Sequence, residues 1–177
     1  MMLYLKRTIL ILYLFSVSLP GFSQDHQYNE HNDIKFIQNK GQWETNVLYR
    51  ALIPDGFLFL ENKGLTYLFY DGEAYDKLKH NNSSEAVLNF HAIKVDFLGA
   101  NEPAAMIASQ ETQGYYNFFL GKDKSKWASG VKGYFDINYQ GIYPGINAVI
   151  SGIECQLEYS FYLKPKADPK QIRMKYN

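Results

Sequence analysis

The chain has 177 residues, 46% of them hydrophobic and 20% charged, which marks a globular protein rather than a disordered one. Lys plus Arg and Asp plus Glu both number 18, so the formal net charge is zero and there is no basic excess of the kind a duplex-binding protein uses to displace counterions. Aromatic residues make up 16%, nearly all Tyr and Phe, a bias that suits strands because flat rings cover a pleated surface.

The first segment, "MMLYLKRTILILYLFSVSLPGFSQ", places Lys6 and Arg7 before an apolar run from Ile9 to Phe15. Pro20-Gly21 then breaks it, and small polar residues follow. The run is short of the roughly 20 residues that span a bilayer. Residues 1–24 therefore read as a secretory signal peptide cleaved near Ser23 or Gln24, leaving no stable membrane span. Without them the chain carries 16 basic and 18 acidic residues, a formal charge of −2. Residues 25–33, "DHQYNEHND", read as a flexible mature N-terminus.

From residue 34 short strand-like runs alternate with turns. "NVLYRALI" (46–53) leads through "PDG" into "FLFLE" (57–61), then through "NKG" into "LTYLFY" (65–70), a hairpin signal in which Gly64 is free to take positive φ. Residues 71–86 are polar and read as the longest loop. In "HAIKVDFL" (91–98) Ile93, Val95 and Phe97 share a face. In "VKGYFDINY" (131–139) Val131, Phe135, Ile137 and Tyr139 do the same, and "YPGINAVISG" reads as a turn at Pro144-Gly145 feeding a strand. The longest alternation, "IECQLEYSFYLK" (153–164), sets Ile153, Cys155, Leu157, Tyr159, Phe161 and Leu163 on one side. It predicts one strand with one covered face, and Cys155 inside it as a small buried residue rather than a reactive thiol. Single helical turns are expected at 122–128 and 168–171. "QIRMKYN" alternates like a strand just begun, whose pairing partners would be missing. The whole of 34–177 is expected to be all-β, an antiparallel β-sandwich or partial barrel, incomplete at its C-terminus as part of a longer chain.

Chemistry is harder to find. His26, His31, His80 and His91 have no ligand spacing tied to one element. Asp71, Glu73 and Asp76 lack the order of a calcium loop and read as a solvated acidic turn. Glu154 and Glu158 sit four residues apart on one strand, roughly 13 Å at about 3.3 Å per residue, too far for a glycosidase pair. A single cysteine excludes an internal disulfide, and no nucleophile elbow or phosphate loop occurs. No metal, cofactor or catalytic set is expected. The stretch "GYYNFFLGKDKSKWASG" (114–130) is the one candidate for binding, with Tyr115, Tyr116 and Trp127 offered as sugar-stacking rings. Its structural reading is a buried strand ending at Gly121, covered on both faces, then an exposed lysine loop with Trp127 folded back as an anchor.

The ordered series "FIQNKGQWETNVLYRALIPDGFLFLENKGLTYLFY", "HAIKVDFLGAN", "GYYNFFLGKDKSKWASGVKGY", "YPGINAVISG" and "DPKQIRMKY" resembles an uncharacterised N-terminal domain of large secreted proteins of gliding Gram-negative, Bacteroidota-type bacteria. The resemblance implies a chain continuing into SBBP β-propeller repeats, PKD or Ig-like modules and a type IX secretion sorting domain. It implies no activity and carries over no catalytic residues. The expected function is a non-enzymatic structural or adhesive module at the N-terminus of a larger extracellular or cell-surface protein, periplasmic if the sorting domain is absent, with downstream domains of the same polypeptide as partners. The alternative is a carbohydrate-binding module that takes glycans on exposed aromatics. A hydrolase with acids dispersed in sequence is a third reading.

Overall fold

The computed structural model describes residues 33–81, 87–101 and 105–177. The expected signal peptide, and residues 25–32 of the expected flexible N-terminus, lie outside them. Twelve strands are described. They are β1 (Phe36–Gln38), β2 (Tyr49–Ile53), β3 (Gly56–Glu61), β4 (Gly64–Tyr70), β5 (Phe90–Phe97), β6 (Ala105–Glu111), β7 (Tyr116–Phe118), β8 (Ala128–Val131), β9 (Gly133–Tyr143), β10 (Ile146–Ile153), β11 (Gln156–Leu163) and β12 (Met174–Tyr176). All pairings are antiparallel. The main sheet runs β11-β10-β9-β1-β2-β3-β4-β5-β12, with β6 also on β9, and it curls into a half-barrel open at its edges. β7 and β8 form a separate hairpin. The all-β, partial-barrel expectation is met.

Period-two alternation decides what the curl encloses. Tyr49, Ala51 and Ile53 of β2, Leu58 and Leu60 of β3, Val95 and Phe97 of β5, Ile137 and Tyr139 of β9, and Ile146, Ala148 and Ile150 of β10 are buried in one cluster. Each fully buried large side chain contributes about 1.5–3 kcal/mol. Opposite walls meet through polar contacts as well. The hydroxyls of Tyr67 on β4 and Tyr159 on β11 touch across the interior. Tyr139 donates to the carbonyl of Glu61 at 2.9 Å, and Tyr143 to that of Arg173 at 3.1 Å.

These enclosed phenols make stability depend on pH. Burial pushes Tyr139 far above the ordinary value of 10, and burial together with the contact to Tyr67 does the same for Tyr159. The unfolded chain gives up these protons near pH 10 while the folded chain keeps them. Their contribution is therefore complete below that pH and is lost as pH climbs toward the folded values. Unfolding free energy measured in urea at stepped pH is expected to stay level to about pH 9 and to fall steeply above about pH 10. Stability still level at pH 11 would show these phenols to be solvated.

Turn chemistry explains the hairpins. Pro54 presets the first central residue of the β2–β3 turn, and Asp55 takes φ 55°. Pro144-Gly145 does the equivalent between β9 and β10, with Gly145 at φ 73°. Gly64 does not use the freedom to take positive φ that the hairpin signal allowed it. Glycine is needed there because a Cβ would stand 2.3 Å from the carbonyl oxygen of Val95 on β5.

The run 153–164 is not one strand. Ile153 pairs with Gln156, so Glu154 and Cys155 form a two-residue turn with φ 48° and 61°. Cys155 is consequently exposed, not buried. Leu157, Tyr159 and Phe161 do pack against the core as the alternation predicts. Register overruled alternation at the near end, because β10 and the rest of β11 already supply the pairing. Glu154→Asn combined with Cys155→Gly, residues at ease in this turn, is expected to raise stability by about 1 kcal/mol. Urea denaturation checks this, and a loss of stability would show the turn is held by its side chains.

Two further expectations change. The polar stretch 71–86 is not wholly loop, since Gly72–Asn81 forms α1. Asp71 caps it by accepting from the backbone N–H groups of Glu73 and Ala74, and Glu73 pairs with Lys77 at 2.9 Å. Local capping replaces a long hydrophobic stripe as the helix signal here. The terminal alternation also finds its partner: β12 pairs with β5 through Met174↔Phe97 and Tyr176↔Val95. Single 3₁₀ turns occur at Lys124–Lys126 and Pro169–Gln171, as expected.

Candidate functional site

Every second residue of β2 faces away from the core. Tyr49, Ala51 and Ile53 go inward, so Arg50 and Leu52 lie on the outer surface. Beside them, Ile37 of β1 turns outward into a second, smaller cluster with Ala128 and Val131. The β7–β8 hairpin lies over this patch: Tyr116 and Phe118 pack on the same cluster, and Trp43 closes its far side edge-to-face with Phe118 at 5.3 Å.

Trp43 is placed by Asn39. The Asn39 side-chain amide donates to the carbonyls of Trp43, Glu44 and Val47, and its oxygen accepts from the N–H groups of Gly41 and Trp43. One asparagine thus folds the whole β1–β2 connection around itself.

Between the hairpin and the outer face of β1–β2 lies a cleft of about 580 Å³. Ile34, Ile37, Leu52, Pro54 and Phe118 supply apolar wall, and Asp33, Lys35, Arg50, Tyr116 and Cys155 bring polar groups to it. Asp33, counted with the flexible N-terminus in the sequence reading, is buried and accepts the backbone N–H of Glu154 at 2.8 Å. The half-buried guanidinium of Arg50 stacks over Trp43 at 4.3 Å and Phe57 at 4.8 Å. Desolvation lowers its pKa from the ordinary arginine value. A second hollow, near the β3–β4 turn, is lined by Glu61, Lys63, Lys94 and Asp96 among others. There Lys94 lies between Glu61 at 3.8 Å and Asp96 at 3.7 Å, so its charge is already balanced.

The stretch proposed from sequence is divided rather than gathered. Tyr116 lines the cleft, half-buried against Val131. Tyr115, the residue just before β7, points to solvent and is 65% exposed. Trp127 also remains outside. It meets Phe119 edge-to-face at 5.7 Å and 70°, lies under Lys124, and donates its ring N–H to the carbonyl of Gly121. The expectation of a buried strand covered on both faces is overturned. β7 is three residues long; Tyr116 and Phe118 pack on the smaller cluster while Asn117 between them, and Phe119 and Leu120 after them, are exposed, so only one of its faces is covered.

Arg50, Trp43, Phe57 and Leu52 were not singled out by sequence reasoning. The signal was present in "YRALI", where the polar phase of a strand carries an arginine next to a leucine. A solvated face has little use for that pairing. Among the described residues, no group of three or more His, Cys, Asp or Glu is placed to hold a metal ion.

Comparison with known proteins adds a family without an activity. A family model described as a domain of unknown function (DUF7948) matches residues 36–177. No curated protein and no solved structure matches the chain.

Proposed function

Starting from the chain's membership of the DUF7948 family over residues 36–177, we propose that it is a non-enzymatic, extracellular structural or adhesive module belonging to a larger secreted or cell-surface protein. The observation that carries this reading is the outer surface. Leu52, Tyr115, Phe119 and Leu120 are all more than half exposed, and Trp127 is 38% exposed. Large apolar side chains kept outside a well-filled core are suited to contact with other surfaces. The N-terminal pattern of Lys6-Arg7, apolar run and Pro20-Gly21 supports export, and the resemblance of residues 34–177 to the gliding-bacterial domains supports downstream modules of the same polypeptide as neighbours.

The carbohydrate alternative keeps Trp127, Tyr115 and Tyr116 as its residues, but the geometry favours it less. Phe119 and Trp127 are tilted by 70°, and the coplanar pair Tyr67–Phe69 packs against the core. Expression of the full chain in a Gram-negative host, followed by fractionation and N-terminal sequencing, tests the export part. A mature start at or just after Ser23 or Gln24 in the periplasm or medium is expected, and an unprocessed cytosolic chain would overturn it. A glycan-binding screen with Trp127→Ala as control separates the two readings. Sugar binding abolished by that substitution would replace the adhesive reading.

A further inference from the structure

The cleft against β2 contains a cation whose environment is half built. Among the described residues, the Arg50 guanidinium has no carboxylate within ion-pair distance and no hydrogen-bond acceptor; its contacts are the rings of Trp43 and Phe57. Ring stacking engages the faces of a guanidinium. Its five N–H donors lie in the plane, in a fork that matches two carboxylate oxygens. A half-buried cation that stacks on two rings and donates to none of the described residues has given up hydration that these residues do not replace.

The remaining wall sets the rest of the ligand. Ile34, Ile37, Leu52, Pro54 and Phe118 form an apolar surface, and the Tyr116 side chain borders it. A hydroxyl-rich sugar acid would leave most of its hydroxyls unpaired against such a wall. Asp33 is engaged with the backbone of Glu154, and Lys35 adds a second basic residue at the rim. The volume, about 580 Å³, suits a small molecule or one to two residues.

We propose that this cleft binds a carboxylate with an apolar body, an aromatic or branched aliphatic acid either free or as the last residue of a peptide, with Arg50 as the bidentate partner of the carboxylate. The site does not depend on the export reading.

Cys155 makes the test direct. It is the single cysteine of the chain, it is exposed, and it lines the cleft, so a bound ligand slows its alkylation. Iodoacetamide labelling of the purified full chain is followed with 3-phenylpropanoate, with acetyl-glycyl-leucine, with the amide of each, and with galacturonate. At least one apolar acid is expected to protect Cys155 with a dissociation constant of about 1 mM or tighter. Its amide is expected to bind about tenfold or more weakly. Arg50→Lys, which keeps the charge and loses the fork, is expected to weaken the acid about tenfold with little change in thermal midpoint.

Protection by the free acid alone identifies a small-molecule site, and equal protection by the peptide identifies a C-terminus site. Either supports the proposal. Equal binding of acid and amide overturns it, as does galacturonate matching the apolar acids, or no protection by any probe. The acid-to-amide comparison needs no variant, so it stands even if Arg50→Lys fails to fold.

Discussion

Tyr139→Ala is expected to lower the unfolding free energy by about 3–5 kcal/mol. Tyr139 is fully buried at the middle of β9, and its ring meets Phe97 of β5 edge-to-face at 5.8 Å. Its hydroxyl donates to the carbonyl of Glu61 at 2.9 Å, where β3 turns into β4. One side chain therefore joins the β9 wall of the half-barrel to both β3 and β5. Removing it opens a cavity that strands paired along their length cannot easily collapse into. Tyr139→Phe separates the two contributions: the ring stays, and the loss is expected to be about 1 kcal/mol from the hydroxyl's hydrogen bond to the partly buried Glu61 carbonyl. Urea denaturation of the three proteins decides it. A Tyr139→Ala midpoint equal to wild type would mean that the two walls do not pack on each other.

Gly152→Ala should be nearly as damaging, at about 3 kcal/mol, although it adds a single methyl group. A Cβ at Gly152 would stand 2.2 Å from the Cβ of Ile34. That atom is fixed to the backbone, so no change of rotamer relieves the overlap. The backbone N–H of Ile34 also donates to the carbonyl of Gly152 at 3.0 Å, which holds the two segments together. The consequence reaches the cleft, because Asp33, Ile34 and Lys35 line it and would be pushed away. Ile34→Gly in the same chain removes the obstructing atom. The double variant is therefore expected to be more stable than the sum of the single losses predicts. Strict additivity in denaturant midpoints would show that the overlap is relieved elsewhere.

The inner face of the half-barrel was largely readable from the sequence. Ile93, Val95 and Phe97, and likewise Ile137 and Tyr139, announced their shared face through alternation alone, because a strand with one covered side has no other way to be written. Local turn chemistry was readable too, as at Pro144-Gly145. Alternation says nothing about where a strand stops. The run through Cys155 keeps its written period across a turn, yet the two-residue hairpin pairs Ile153 with Gln156 and so sets Ile153 on the face opposite Leu157, Tyr159 and Phe161. Cys155 was thus expected inside and lies outside. Helix α1 was missed for a related reason: a short capped helix on the surface has no apolar stripe to betray it.

The candidate site divides in the same way. The stretch 114–130 looked sticky in sequence, yet only Tyr116 of its proposed residues lines the cleft. The partners that give the cleft its character, Arg50, Leu52 and Ile34, come from strands and termini far away in the chain. Sequence by itself determined the strand class, the face of most strands and the turns at Pro54 and Pro144-Gly145, because each depends on neighbours within a few residues. Tertiary structure alone decided that β7 and β8 leave the main sheet and cover the outside of β1–β2. It alone brought Trp43 and Phe57 under Arg50. Those outcomes depend on which surfaces remain uncovered after the sheet has curled, a property of the folded whole that no local pattern encodes.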